Sequence, residues 1–346
     1  MGQLDIKPDS TKLMTIKDVA KLADVSIGTV SRVINDSGYV SLETRRKVEK
    51  VLNKTGFMPN MAARSMIRKK SLIIGVIIPE INNPFLSGLV VSIEDMISRE
   101  NYSILLCNSK YKLDKEENFV DNLIQRNAEG LVFIASELRS DKLMKKAKKH
   151  LNVVLISSKF GGFDCVNLTD SQAAFEMTQH LISLGHHRIA CIGFNEVSNT
   201  TMERLRGYTE ALAKNNIEVK NEFMLAAQTG MNVGYERTKQ LMQLEKPPTA
   251  IFAVNDYYAI NSYFAIKEKG LMVGKDISVA GFDDIPIASL LSPSLTTVKF
   301  PTETMAELAV DMLMKRINRT SSDEMKDIII PAHVVKRDST QICSEI

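Results

Sequence analysis

Thr15 to Ser41, TIKDVAKLADVSIGTVSRVINDSGYVS, is the stretch on which the reading of this chain turns. Thr15 and Asp18 form a capping-box-like pair, and Ile16, Val19, Ala20 and Ala23 recur at helical spacing on one face, which predicts a first short helix. Ala23-Asp24-Val25 then makes a tight turn in which Asp24 tolerates a left-handed backbone. Ser26 caps a second helix whose Val30, Val33 and Ile34 face the first. Two short helices joined in this way make a helix-turn-helix pattern, whose second helix is shaped to enter a DNA major groove.

The outward face of that second helix carries suitable chemistry. Ile27, Gly28 and Arg32 are candidate base readers: an isoleucine can touch a thymine methyl, a glycine lets backbone approach, and an arginine bonds both acceptors on a guanine edge. Thr15, Ser26, Thr29, Ser31, Asn35, Tyr39 and Ser41 are candidate phosphate donors, which set register without reading sequence. The alternative is a small bundle with capped helices and a solvated arginine. Residues 42–55 should add a third helix, with Leu42, Val48, Val51 and Leu52 on its inner side and Arg45, Arg46 and Lys47 on a basic outer face. Residues 1–14 are polar and aperiodic, as a disordered lead would be.

Charge follows the same division. Residues 1–70 hold 14 Lys and Arg against 7 Asp and Glu, whereas residues 71–346 hold 30 against 34. The basic excess is confined to the head, which suits a polyanion-binding module on a near-neutral body. The four cysteines show no metal spacing and read as reduced thiols. No apolar run is long enough to span a membrane and no signal-peptide core is present, so a cytoplasmic location is expected. Neither a GxGxxG after a strand, a GxxxxGK[ST], a GxSxG nor an HExxH motif occurs. An enzyme is therefore not expected, and neither is a cofactor or a metal. His186 and His187 read as helix C-terminal residues favoured by the dipole.

Together, TIKDVAKLADVSIGTVSRVIN, GYVSLETRRKVEK and GFMPNMAARSM closely resemble the N-terminal head of the LacI/GalR family of transcription regulators. The likeness departs at Asp24, where the family usually has Gly, and at Met66, where it usually has Leu. Residues 59–70, PNMAARSMIRKK, favour a helix too short to stand alone in water and should need a partner to fold. The resemblance implies a hinge helix here that orders on operator DNA. Asn60, Ala63 and Arg64 match its motif, and Met66 falls at the apolar residue that wedges into a minor-groove base step.

From Ser71 onward, apolar runs alternate with amphipathic helices, as in a parallel sheet wrapped on both faces. The first series runs from SLIIGVIIP to VVLIS, and the second from a helix at 171–184 to ISVAGF. The tail (TTVKF, a helix at 302–317, DIIIPAHVV) is too short for a third domain and should cross back between two halves. The expected class is α/β: an all-α head, then two doubly wound parallel-sheet subdomains, the arrangement that the resemblance also implies, similar to periplasmic sugar-binding proteins. The expected boundaries are 15–58 for the DNA-binding domain, 59–70 for the hinge and 71–346 for effector binding and dimerisation. Within the last, an N-terminal subdomain takes about 71–168 plus 299–326, and a C-terminal one about 169–298 plus 327–343.

Open parallel sheets bind ligands beyond the carboxyl ends of their strands. Phe85, Ser136, Ser198, Thr200, Asn255, Asp256 and Asp283 are the candidate effector residues there, with Asn82, Asn83, Asn108 and Asp284 nearby. Asn and Asp also serve as ordinary caps and turn residues after strands, so each taken singly has a structural reading too. The resemblance places Asn255, Asp256 and Asp283 at effector-holding positions. It also shows Ser198 where many relatives have an effector-binding Arg, and Thr229, Gly230 or Met231 where a stacking aromatic is expected. A sugar-related metabolite, a smaller or differently charged ligand, or control by a phosphoprotein corepressor all remain open. The resemblance implies a repressor that binds a pseudo-palindromic operator as a homodimer.

Overall fold

The computed structural model describes residues 14–57, 70–134, 140–158, 160–196, 198–227, 232–322 and 324–343. The chain divides into two compact units, Met1–Ser71 and Leu72–Ile346, here called the head and the body.

The head has three helices, α1 (Ile16–Ala23), α2 (Ile27–Asn35) and α3 (Leu42–Thr55). The capping box at Thr15 is present: Thr15 N–H donates to the Asp18 carboxylate at 2.9 Å and Asp18 N–H donates to Thr15 Oγ1 at 3.4 Å. Asp24 ends α1 in the left-handed region, at φ 50° and ψ 52°. Val19, Ala20, Ala23, Val30, Val33 and Val48 form the core. Leu42 does not join it and is 75% exposed. Six residues of helix turn it about 120° away from Val48, so only Val51 and Leu52 share the inner side with Val48.

The body has two lobes. The N-lobe sheet is parallel, in the order β11-β5-β4-β3-β1-β2, built from β1 (Ile73–Ile78), β2 (Ser103–Asn108), β3 (Gly130–Ile134), β4 (Asn152–Ile156), β5 (Asp164–Leu168) and β11 (Asp327–Ile330). Helices α4 (Pro84–Arg99) and α11 (Thr302–Ile317) contribute to the core on one face, and α5 (Leu113–Gln125) and α6 (Asp141–His150) to the core on the other. The C-lobe sheet, also parallel, has the order β7-β6-β8-β9, from β6 (Ile189–Ile192), β7 (Met224–Leu225), β8 (Ala250–Ala253) and β9 (Ser278–Ala280). It is wrapped by α7 (Asp170–Ser183), α8 (Asn199–Lys214), α9 (Val233–Leu241) and α10 (Asp256–Glu268). A short antiparallel pair, β10 (Thr297–Lys299) with β12 (His333–Val335), lies beside the crossings between lobes.

Two sequence expectations need correction. DCVNL, β5, carries polar residues that hide its strand pattern, and it extends the first series beyond VVLIS. The run DIIIPAHVV is two strands: β11 pairs with β5 in the N-lobe, and β12 pairs with β10. Residues 327–330 therefore belong to the N-lobe, and the third crossing falls at Pro331 and Ala332, where proline interrupts the ladder.

The contact between α7 and α8 depends on Gly207, where a Cβ would come within 2.0 Å of the Ser171 carbonyl oxygen. Backbone cannot yield as a flexible side chain can. Gly207→Ala is expected to destabilise the body by about 1–3 kcal/mol, read as a lower urea midpoint; an unchanged midpoint would show that the two helices have room to separate.

Candidate DNA-reading face and effector cleft

On the head, Ile27, Gly28 and Arg32 all lie on exposed α2 surface. Arg32 runs alongside Gly38, whose φ is 70°; a Cβ there would lie 3.7 Å from Arg32 Cδ, so the turn after α2 borders the arginine stem. The candidate phosphate donors already serve the fold. Ser26 Oγ accepts from Thr29 N–H at 3.1 Å and lies 2.9 Å from Thr29 Oγ1. Ser41 Oγ accepts from Thr44 N–H at 3.2 Å, and Asn35 Nδ2 donates to the Ser31 carbonyl at 2.9 Å and to Ser31 Oγ at 3.2 Å. Tyr39, 90% exposed, projects freely. Arg45 pairs with Asp36 at 2.7 Å, a partner that the charge run did not reveal. Asn60, Ala63, Arg64 and Met66 lie outside the described residues, as do Ser136 and residues 229–231.

In the body, the carboxyl ends of the strands bring side chains of the two lobes together. Asn83 Oδ1 accepts from Phe85 N–H at 2.9 Å and caps α4, while Asn255 Oδ1 accepts from Tyr258 N–H at 2.8 Å and caps α10. Ser198 caps α8, accepting from Thr201 N–H at 3.3 Å. These are the structural roles open to such residues, yet Asn83 and Asn255 also line one recess together. Glu80, Asn82 and Asn83 from the N-lobe meet Asn255, Tyr257 and Tyr258 from the C-lobe around a recess of about 20 Å³. Phe85, Asp283, Asp284 and Phe300 line a groove of about 290 Å³. Thr200 lines a larger cavity of about 550 Å³ with Ser157, Asn167, Thr169 and Asp170.

The centre of the arrangement is a buried cation. Arg204, 4% exposed, donates from Nε to Asp170 Oδ1 at 2.8 Å and from Nη1 to Asp283 Oδ1 at 3.1 Å and the Val254 carbonyl at 2.6 Å. Its guanidinium lies 3.8 Å from the centre of the Phe282 ring. Phe282 packs on Phe300 with ring centres 5.4 Å apart, and Phe300 on Phe85 at 5.8 Å, so the stack reaches from the C-lobe to α4. Arg204, Asp170 and Phe300 were not among the candidates. The signal was available for the first, because Arg204 shares its helical face with Gly207, Tyr208 and Ala211, all of them buried.

Asp256 is a correction. It is fully buried, with Oδ1 accepting from Thr297 Oγ1 at 2.5 Å and Oδ2 from Ile285 N–H at 2.9 Å, so it braces the turn beneath the cleft wall. Burial, and then the neighbouring Asp283, push its carboxyl well above the usual range. His186 is another. Its N–H closes α7 by donating to the Leu181 carbonyl at 3.2 Å, but its ring is turned inward and buried, with Nδ1 2.9 Å from Thr249 Oγ1 and Nε2 2.9 Å from Ser278 Oγ. Burial lowers its pKa, which keeps it neutral rather than a cation on a helix dipole.

Residues 15–60 match the lacI family of bacterial regulatory proteins, and residues 178–340 match a periplasmic binding protein-like domain. The chain is 31% identical to catabolite control protein A of Priestia megaterium, over 95% of this chain and 99% of that protein. It is 33% identical to the HTH-type transcriptional regulator DegA of Bacillus subtilis (strain 168), over 94% and 98%. The chain belongs to the LacI family. The lac repressor dimer bound to operator and the anti-inducer ONPF superposes on this LacI-family chain with a TM-score of 0.84 at 28% identity, covering 95% of this chain and all of that one. The complex of the transcriptional regulator CelR with cellobiose gives 0.70 at 26%, covering 94% and 99%. The α/β class and the two-part organisation thus stand, and this LacI-family protein is a DNA-binding transcriptional regulator, not an enzyme.

Two predictions follow from the buried cluster. Arg204→Ala leaves two carboxylates without their cation and is expected to cost about 3–5 kcal/mol of body stability, read by urea unfolding; a loss below 1 kcal/mol would mean that the carboxylates find other partners. Asp283 is held up at about 7, chiefly by burial, with Asp170 adding to the rise and Arg204 opposing it. The folded protein therefore binds this proton more tightly than the unfolded chain does, and the group's contribution to stability is full below about pH 4 and lost as pH rises through about 7. Asp283→Asn should flatten the fall in stability between about pH 4 and pH 7, and an unchanged slope would assign that titration elsewhere.

Proposed function

We propose that this protein is a cytoplasmic, homodimeric repressor whose grip on a pseudo-palindromic operator is set by a small polar metabolite in the cleft between the body lobes. The observation that carries the ligand reading is the Arg204–Asp170–Asp283 cluster, which sets hydrogen-bonding groups beside aromatic faces at the carboxyl ends of the strands. Phe85, Asn255 and Asp283 are effector residues of this reading, together with Ser136, Ser198 and Thr200, and Asp256 acts through the turn that it braces. A polyhydroxylated ring suits such a site: the transcriptional regulator CelR has been seen with cellobiose, and a LacI family transcriptional regulator from Enterococcus faecium with ribose. In the DNA reading, Ile27, Gly28 and Arg32 meet base edges. Thr15, Ser26, Thr29, Ser31, Asn35, Tyr39 and Ser41 meet phosphates, and Asn60, Ala63, Arg64 and Met66 serve the minor groove. Two heads in one dimer raise each other's effective concentration and make half-site spacing part of specificity. A ligand shifts operator affinity only by its differential affinity for the two states. Full-length similarity to catabolite control protein A supports a second reading, in which a phosphoprotein corepressor supplies the signal.

Selection of bound duplexes from random DNA, followed by a metabolite screen for shifts in that binding, tests the proposal. An enriched palindrome whose affinity falls steeply with salt is expected; no sequence preference at low salt would remove it. Arg32→Ala should weaken specific binding by roughly 1–3 kcal/mol and relax preference at one base pair per half-site, and undiminished affinity would exclude it as a reader.

A further inference from the structure

The recess between the lobes has a composition of its own. Glu80 faces it from the turn after β1, Tyr257 and Tyr258 from the first turn of α10, and Asn82, Asn83 and Asn255 complete the lining. No cationic side chain is among those six residues. Glu80 makes no ion pair among the described residues, whereas the carboxylates deeper in the cleft are paired: Asp170 and Asp283 with Arg204, and Asp284 with Arg337 at 2.7 Å. The two tyrosine rings stand 6.1 Å apart at 53°, a half-open aromatic corner. Tyr258 is fixed there by Gly193, at which a Cβ would come within 2.3 Å of the ring. Burial, and then the charge of Glu80, raise the Tyr258 hydroxyl to about 12, so the carboxylate acts on this ring electrostatically and the phenol stays neutral.

A carboxylate with no ion pair among the described residues, in one lining with two tyrosine rings, attracts a cation by charge, and the negative potential over a ring face adds to that attraction. The size is also selective. About 20 Å³ holds little more than one water-sized group, which suits an ammonium and excludes a phosphate or a whole ring. An anionic ligand placed here would meet Glu80 with no cation among the described lining residues to offset the repulsion.

We infer that the recess lined by Glu80, Tyr257 and Tyr258 is a subsite for a protonated amine, and that the effector is an amine-bearing polar molecule such as an amino sugar. The inference rests on the effector-cleft reading above. The hydroxylated part of the ligand lies toward Asp283 and the phenylalanine stack, and its ammonium bridges Glu80 of one lobe and the tyrosines of the other. Such a bridge makes lobe closure depend on the amine.

The test uses the full-length protein at about pH 6.5, where a sugar amine is protonated, titrated by calorimetry with D-glucosamine, D-glucose and D-glucose 6-phosphate. Glucosamine is expected to bind about tenfold or more tightly than glucose, and the phosphate ester more weakly still. Glu80→Gln, nearly isosteric, should remove the preference, so that glucosamine and glucose bind the variant with equal affinity. Tyr257→Leu gives a second reading of the same preference and should reduce it severalfold. Equal or tighter binding of glucose or its phosphate, an amine preference that survives Glu80→Gln, or no binding of glucosamine would each overturn the inference. A non-amine ligand that still shifts operator affinity would do so while leaving the effector-cleft reading intact; loss of all ligand response in an operator-binding protein would remove that reading instead.

Discussion

A guanidinium buried among two carboxylates and an aromatic ring is the constraint on which the body of this protein is built. Taking such a charge out of water costs several kcal/mol, and only near-complete hydrogen bonding with opposite charge offsets it. Arg204 meets that condition by drawing on segments far apart in the chain: the start of α7 through Asp170, the end of β8 through Val254, and the turn after β9 through Asp283. Each has to be in place for the others to be tolerable. The ring stack from Phe282 through Phe300 to Phe85 then carries the arrangement across to α4 in the other lobe.

The turn after β9 shows how strain is held at the carboxyl end of a strand. Asp283 and Asp284 have φ of 118° and 52°, values that side-chain-bearing residues rarely adopt. They persist because the surroundings over-determine them. Asp256 fastens the turn from below through Ile285 N–H, Arg204 holds Asp283, and Arg337 and Lys299 hold Asp284 at 2.7 and 3.9 Å. Lys299 ends the strand that leads into one interlobe crossing, and Arg337 follows the strand entered from another. The turn after β9 is thereby tied to the segments that cross between the lobes.

The head makes a different use of its polar residues. Thr15, Ser26 and Ser41 each satisfy the first turn of a helix that is too short to be stable without help. By satisfying these helix ends they hold the three short helices of the head in place. Asp24 shows the tolerance of such a unit, since its backbone takes the left-handed turn for which a glycine would serve.

Much of this was legible in the chain itself, because it rests on local physics. Capping pairs, helical spacing and the confinement of basic charge to the first seventy residues mark a groove-reading head, and apolar runs alternating with amphipathic helices mark a doubly wound body. Residues that follow strands could be named from order alone: Asn83, Asn255 and Asp283 do stand at the cleft. Tertiary structure alone decided which side chains face it. Asp256 is next to Asn255 in sequence, yet helix geometry turns it beneath the wall while Tyr257 and Tyr258 meet the N-lobe. β5 stayed hidden because Asp164 and Asn167 interrupt its apolar run, and the lobe of β11 could not be read because an edge strand is assigned only by the neighbour it pairs with. Arg204 is the clearest case. A guanidinium on an apolar helix face is a local oddity, and only the arrival of Asp170 and Asp283, 34 and 79 residues away, turns it into the centre of a site.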